Sequence, residues 1–298
     1  MWKSALLALL LTLPMGAAAQ RLALSLDDGF DPVAQPNAAN LNASILRALA
    51  GQNVNSIFFV AGLRVDSNEG LRLVKAWSSA GHLVANHGYS HLSLNSSKVT
   101  LETFIEDAKK NETLLAKLPI WEKRFRFPYL KEGNTEQKRD GLRQWLNSNN
   151  YASGAVSIDT SDWYYDRRLR DWLKKNPGKY PSAFRKPYLD HLLDRANYYA
   201  DLGKRTLNRD IDHVMLLHTN TINAYFLSDV IAMFRTAGWE IIDPAEAYED
   251  AVYAKQPEVL PAGESIVWSL AKQAGIPNLR YPAEDGVYEE PKLDALGL

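Results

Sequence analysis

The chain has 298 residues, 46% of them apolar and 23% charged, with 34 basic and 35 acidic side chains and a formal net charge of -1. That length suits two domains of roughly 150 residues or one α/β barrel of roughly 200–250 residues with extensions, and the charge balance excludes a dedicated nucleic-acid binder, which needs a basic excess for its phosphate contacts. Cysteine is absent, so a disulfide scaffold, a thiol nucleophile and every thiolate metal site are excluded, and any metal must be held by His, Asp or Glu.

Residues 1–19 read as a secretory signal peptide. Lys3 supplies a positive charge, 5–15 is an apolar run, and Ala17-Ala18-Ala19 offers a small-residue cleavage site before Gln20. The run falls short of the ~20 residues that a membrane span needs, so no stable membrane insertion is expected. The mature chain is expected to be secreted, working in a bacterial periplasm, where the lack of Cys avoids mispairing. No protein partner is inferred.

Beyond that segment, short apolar runs alternate with helical patterns. Strands are expected at 21–26, 55–61, 82–86, 124–127, 152–158, 214–217 and 240–242. Helices are expected at 40–50, 69–80, 101–117 with Thr100 as N-cap, 135–147, 224–237 and 264–274. Such alternation predicts an α/β fold with a parallel sheet or barrel and helices outside. The last fifty or so residues are richer in Pro, Gly and acids. The expected organisation is therefore a barrel domain over 20–250, interrupted by a polar and aromatic insertion at 164–210, and a C-terminal extension over 251–298.

The chemistry-bearing residues fall at strand ends, where an α/β barrel builds its site. Ser25-Leu26-Asp27-Asp28-Gly29 places two carboxylates pointing in different directions before a residue that can turn sharply. His87-Gly88-Tyr89-Ser90-His91 carries two His four residues apart, which on a helical turn would share a face and converge on one ion. With one Asp they would leave positions open for water and substrate. Arg126-Phe127-Pro128-Tyr129 offers a bidentate cation and a backbone pinned by Pro. Asp159-Thr160-Ser161-Asp162-Trp163 and Leu216-Leu217-His218 end two further strands, and His218 beside a buried Asp is a candidate acid or base. Each segment alone has an ordinary structural reading, as a turn, a strand end or a core histidine. His82, His191 and His213 carry no motif and read as structural or surface groups.

Together and in this order, the five segments resemble the motifs of the polysaccharide deacetylases, the NodB-homology carbohydrate esterases of family 4, over roughly residues 20–245. The surrounding sequences at 55–62 and 81–87 also match. The resemblance implies a distorted (β/α)7-type barrel and metal-dependent removal of acetyl groups from sugars. Asp28, His87 and His91 would hold a divalent metal, with Zn the default and Co, Ni or Fe suited to the same ligands. The metal would bind the acetyl carbonyl oxygen and the attacking water, and Asp27 would take the water's proton. The oxyanion would rest on the metal and on the backbone N–H of Tyr129, and His218 would protonate the leaving amine or alkoxide. Arg126 would orient Asp27, Asp162 would orient His218, and Trp163 and Leu216 would wall the acetyl methyl.

The chain departs from that family pattern. Ser25-Leu26 stands for the usual Thr-Phe, Gly88 for Ser or Thr, and Phe127 for a common Pro. The loss of a hydroxyl at Gly88 removes a hydrogen bond that steadies the His loop. The 164–210 insertion holds Trp172, Tyr180, Tyr188, Tyr198 and Tyr199, which read as packing against the barrel rather than as a sugar-stacking surface. The expected function is a secreted metal-dependent deacetylase of an N- or O-acetylated glycan. The alternatives are a non-catalytic glycan-binding protein on the same barrel, disfavoured by the presence of both Asp27 and His218, and an amidohydrolase of cyclic amides or ureides, disfavoured by the export segment.

Overall fold

The computed structural model describes residues 19–280, 282 and 286–298, so the export segment expected at 1–19 lies outside the described residues apart from Ala19. The first strand, β1 (Arg21–Asp28), has six consecutive buried positions, the signature of a strand covered on both faces of a parallel sheet. It is followed by α1 (Ala38–Gly51), β2 (Ser56–Val60), α2 (Gly62–Val65), α3 (Asn68–Ser79), β3 (Leu83–Asn86), α4 (Leu101–Leu115) and β4 (Trp121–Phe125). Next come β5 (Lys131–Gly133), α5 (Glu136–Ser148), β6 (Ala152–Ser153), α6 (Asp162–Lys175) and α7 (Ser182–Leu207). The chain ends with β7 (Asp212–His218), α8 (Thr221–Thr236), β8 (Glu240–Ile241), α9 (Pro244–Ala247), β9 (Ala262–Gly263), α10 (Ile266–Gln273) and α11 (Glu290–Ala295). Among the described residues no helix is long and apolar enough to cross a membrane.

The main sheet is parallel, in the order β6-β4-β3-β2-β1-β7, with β8 adding to the start of β1. It curls until the chain after β6 meets β7: Ile158 bridges Met215, and the Leu216 amide donates to the Ile158 carbonyl at 2.9 Å. This is a distorted α/β barrel with its helices outside. The expected continuous strand at 152–158 is instead broken. Gly154 lies so close to Phe125 and Phe59 that a Cβ there would sit 2.6–2.7 Å from their atoms, and the segment crosses from β4 to β7 at this point.

Register explains why distant motifs meet. Asp28, Val60, Asn86, Phe125 and Ser153 stand in one row across the sheet, and Asp27 pairs with His218 on the other side. The ladder continues one residue beyond: Ala61, His87, Arg126, Gly154 and Thr219 each donate an amide to the preceding strand's last carbonyls at 2.7–3.1 Å. Their side chains therefore start from one level rim at the carboxyl ends of the strands.

The segment 251–298 packs on this body. β9 pairs antiparallel with β5, the Ile266 amide reaches the Val156 carbonyl at 2.8 Å, and Ser265 Oγ donates to the Ser157 carbonyl at 2.7 Å. The β5–β9 pair had no signal in the sequence, because each strand is only two or three residues long. The insertion forms the helices α6 and α7, with Tyr188 and Tyr199 fully buried, Trp172 and Tyr198 half-buried, and Tyr180 exposed. Packing accounts for all but Tyr180.

Buried amides tie the rim to the helices. Asn86, at the end of β3, donates from Nδ2 to the Ala108 carbonyl and to Tyr151 Oη, both at 2.9 Å. Its Oδ1 accepts from the Gly88 amide at 2.9 Å and from Asn111 Nδ2 at 2.8 Å, while Asn111 also donates to the Val60 carbonyl at 2.7 Å. Asn86→Ala strands several of these buried groups at once, so it is expected to lower the unfolding free energy by about 1–3 kcal/mol. Chemical denaturation with an unchanged slope checks this.

Candidate metal centre and active site

Asp28 ends β1 in a left-handed conformation (φ 85°) and Gly29 continues the turn at φ 120°. Only a glycine fits there, since a Cβ would meet Val65 Cγ1 at 2.7 Å. The Gly29 amide donates to Thr219 Oγ1 at 2.8 Å, which locks the turn to the end of β7. This reversal separates the two carboxylates, sending Asp27 inward and Asp28 to the mouth.

Asp27 is buried, and its Oδ1 accepts from Arg126 Nη1 at 2.7 Å. Arg126 is also buried and spends its other donors on Ser25 Oγ (2.8 Å), the Gly154 carbonyl (2.7 Å) and Tyr248 Oη (3.1 Å). Ser25, one of the departures from the family pattern, passes its own hydroxyl hydrogen to the Met215 carbonyl at 2.6 Å. Burial raises Asp27 to about 6, against the opposing pull of Arg126 and His218. Asp28 goes the other way. Burial raises it, but Arg64, His91, His218 and His87 together outweigh that and hold it at about 2.

The two histidines do not share a helical turn, contrary to expectation. Residues 87–91 form an irregular loop in which Gly88 (φ 72°) and His91 (φ 53°) are left-handed, and this folding brings the rings to 5.0 Å. A carboxylate replaces the hydroxyl that Gly88 lacks: Asp107, from α4, accepts from the Tyr89 amide at 2.7 Å and the Ser90 amide at 2.9 Å. A side chain at position 88 would collide with it, its Cβ 2.9 Å from Asp107 Oδ2. His87 Nδ1 lies 2.9 Å from the Arg126 carbonyl, which can only accept, so Nδ1 carries the proton and the Nε2 lone pair faces the site. Burial lowers the pKa of both His87 and His91, which keeps the imidazoles neutral, as ligation requires.

Asp28, His87 and His91 each offer one atom within 4.8 Å of the others. Asp28 Oδ1 is the focus: His91 Nε2 is 3.3 Å from it and His87 Nε2 3.9 Å. Among the described residues this buried oxygen has no hydrogen-bond partner. A buried acceptor left unpaired between two imidazole lone pairs fits a cation.

Across from Asp27, His218 ends β7. Its Nδ1 is 2.7 Å from Asp162 Oδ1, and its amide donates to Asp162 Oδ2 at 2.8 Å. Asn220 and Asn223 each donate to the same Oδ2 at 2.9 Å. Burial would lower the His218 pKa, but the buried Asp162 carboxylate outweighs it and raises it to about 10. Trp163, Leu216 and Tyr129 line a cleft of about 1010 Å³ together with Asp28, His87 and His91. Tyr129 is left-handed (φ 58°), its side chain exposed with its ring 4.4 Å from that of His91.

The ten residues singled out by sequence thus all border one cleft or back directly onto it. Those missed are the supports: Asp107, Asn111, Tyr248 and Arg64, none adjacent to a motif, Asn86, which directly precedes His87, and Asn220 and Asn223, which follow Leu216-Leu217-His218 and carry a helix N-cap signal, realised by Asn220 Oδ1 accepting from the Asn223 amide. His82, His191 and His213 are all buried, so the surface alternative falls away.

Comparison with known proteins gives the same picture. Residues 16–145 match the polysaccharide deacetylase family. A peptidoglycan-N-acetylglucosamine deacetylase of Bacillus cereus is 30% identical over 143 residues, which is 48% of this chain and 46% of the relative. The match therefore spans less than half of that relative's length. Among solved structures, a peptidoglycan N-acetylglucosamine deacetylase superposes with a TM-score of 0.52 at 21% identity, covering 78% of this chain and 92% of that one. A family 4 carbohydrate esterase pseudoenzyme from Bacillus anthracis superposes with a TM-score of 0.52 at 17% identity, covering 77% and 66%. At these identities the superpositions establish the barrel alone. The family match over residues 16–145 takes in Asp27, Asp28, His87, His91 and Arg126, and leaves Asp162 and His218 outside it.

Proposed function

We propose that the protein is a secreted, metal-dependent deacetylase that hydrolyses acetyl groups on an N- or O-acetylated glycan. One observation carries the reading: an ionised, Arg-held carboxylate and a protonated, Asp-held imidazole face each other beside a three-residue cation site. A barrel that only bound sugar would have no use for both, and the pseudoenzyme neighbour is a reminder that the fold alone decides nothing.

Asp28, His87 and His91 would hold a divalent ion, Zn or else Co, Ni or Fe, which supplies Lewis-acid polarisation of a carbonyl and lowers the pKa of a bound water. Asp27 takes the proton from the attacking water, because a carboxylate held near 6 is ionised at neutral pH yet more basic than an exposed one. Arg126 fixes which oxygen of Asp27 faces the cleft. The water oxygen bonds to the acetyl carbon, and the Tyr129 amide is offered to the developing oxyanion. His218 then donates its proton to the amine or alkoxide as the bond from the acetyl carbon breaks. Trp163 and Leu216 wall the space for the methyl group, and the open cleft suits an acetylated sugar within a chain. The export reading of residues 1–19 is supported by the charge, apolar run and small-residue site in the sequence.

Four outcomes test this. Asp28→Ala and His87→Ala are each expected to lose stoichiometric metal and acetate release together, as read by metal analysis and an acetate assay on acetylated oligosaccharides; full activity in either variant defeats the proposal. His218 is active when protonated and its pKa is raised, so activity should persist through neutral pH and fall as pH rises through about 10. Asp162→Asn removes the main raising influence, which moves that alkaline limb toward or below the ordinary histidine range in a pH–rate profile. Export predicts that the protein recovered from a periplasmic fraction has a mass corresponding to a start at Gln20.

A further inference from the structure

The insertion helix α7 turns one buried, polar stripe toward the barrel. Tyr188, His191 and Arg195 are spaced three and four residues apart, hence on one helix face, and all are buried. Each bonds to the segment that holds the proton donor. Tyr188 Oη donates to Asn223 Oδ1 at 2.6 Å, and Asn223 in turn donates from Nδ2 to Asp162 Oδ2 and to the His218 carbonyl, both at 2.9 Å. His191 Nε2 accepts from the amide of Ser161, the residue before Asp162, at 3.0 Å. Arg195 Nε donates to the Asp159 carbonyl at 3.1 Å. Behind them Glu289, from the C-terminal segment, is buried with Oε1 3.4 Å from His191 Nδ1.

None of the three lines the cleft, so none touches substrate. A helix that only covered the barrel would present aliphatic side chains here, because burying a guanidinium and an imidazole is costly; Arg195 Nη1 and Nη2 have no hydrogen-bond partner among the described residues, and the bonds that are made, from Arg195 Nε and to His191 Nε2, both go to the 159–161 segment. We propose that the insertion is the rear mount of the proton donor, with Tyr188, His191 and Arg195 acting as positioning residues that fix Asp162 and, through it, His218. The inference rests on His218 being the acid of the deacetylase proposed above, but its geometry can be tested without catalysis.

Tyr188→Phe removes one hydroxyl and keeps the packing. Tyr198→Phe is the matched control, since Tyr198 Oη on the same helix accepts from the Arg280 amide at 2.8 Å and has no bond to the acid arm. In the full-length mature protein loaded with Zn, Tyr188→Phe is expected to lower kcat by the order of 10-fold, on the scale set by outer hydrogen-bond partners of active histidines. KM and metal content should stay unchanged. The downfield NMR resonance of the His218 Nδ1 proton, given by its 2.7 Å bond to Asp162, should broaden through faster exchange. Tyr198→Phe should leave both readouts as in the parent. An unchanged resonance and kcat in Tyr188→Phe, or equal losses in Tyr198→Phe, overturns the inference. Where Tyr188→Phe does not fold, His191→Phe, which removes the acceptor for the Ser161 amide, gives the same two readouts with the same expectations. A parent protein that releases no acetate would defeat the proposed function, while the resonance comparison would still judge the mount.

Discussion

Arg126 is the residue through which both Asp27 and His87 are set. A guanidinium taken out of water must find partners for its donors, and the partners found here bind together elements far apart in sequence: Asp27 and Ser25 on β1, the Gly154 carbonyl where the chain leaves β6, and Tyr248 beyond α9. Its charge lies 4.0 Å from the Phe59 ring on β2. Its side chain therefore fixes Asp27, and its backbone carbonyl, through Nδ1 of His87, fixes the tautomer of that imidazole. A substitution there would leave Asp27, Ser25, the Gly154 carbonyl and Tyr248 without their shared donor at the rim of the sheet.

Backbone strain is distributed to the same place. The described residues include nine non-glycine positions with positive φ, four of them asparagines, which adopt this conformation readily. The other five are Asp28, His91, Tyr129, Leu130 and Glu264, and every one lines the cleft. Left-handed conformations cost about 1–3 kcal/mol each and persist only where surrounding structure over-determines them. Here the over-determination is visible: Thr219 and Val65 crowd the turn at Asp28, Asp107 clamps the loop before His91, and beside the β5–β9 pair the Glu264 amide donates a hydrogen bond to the Leu130 carbonyl at 2.8 Å.

How much of this was legible follows from how each residue is specified. Asp27, Asp28, His87, His91, Arg126 and His218 stand at the ends of apolar runs, and a parallel sheet brings all such ends to one rim, so pattern alone places them together. The His pair shows the limit. Its four-residue spacing suggested a helical turn, but the ring approach depends on two left-handed residues and on Asp107, which lies on the next helix and has no spacing rule linking it to the loop. Likewise the break at Gly154 and the Tyr248–Arg126 bond are tertiary events. A strand-like run over 152–158 cannot reveal that its two ends pair with different strands.

The two chemical arms also differ in origin. Asp27, Asp28, His87, His91 and Arg126 all come from the first half of the chain, within the part that matches the family, whereas His218, Asp162 and their supports come from residues 159–223, through the insertion. What joins them is a single register: β1 pairs with β7 so that Asp27 stands opposite His218, and the Thr219 amide donates to the Asp27 carbonyl at 3.0 Å. A slip of one residue in that pairing would turn every side chain of β7 to the opposite face. The continuous burial of Val214, Met215, Leu216 and Leu217 gives little alternation to define the register, so it is set by bonds at the end of the strand, from the Gly29 amide to Thr219 Oγ1 and from the His218 amide to Asp162 Oδ2. The polar groups of the site thus also align the strands on which the site is built.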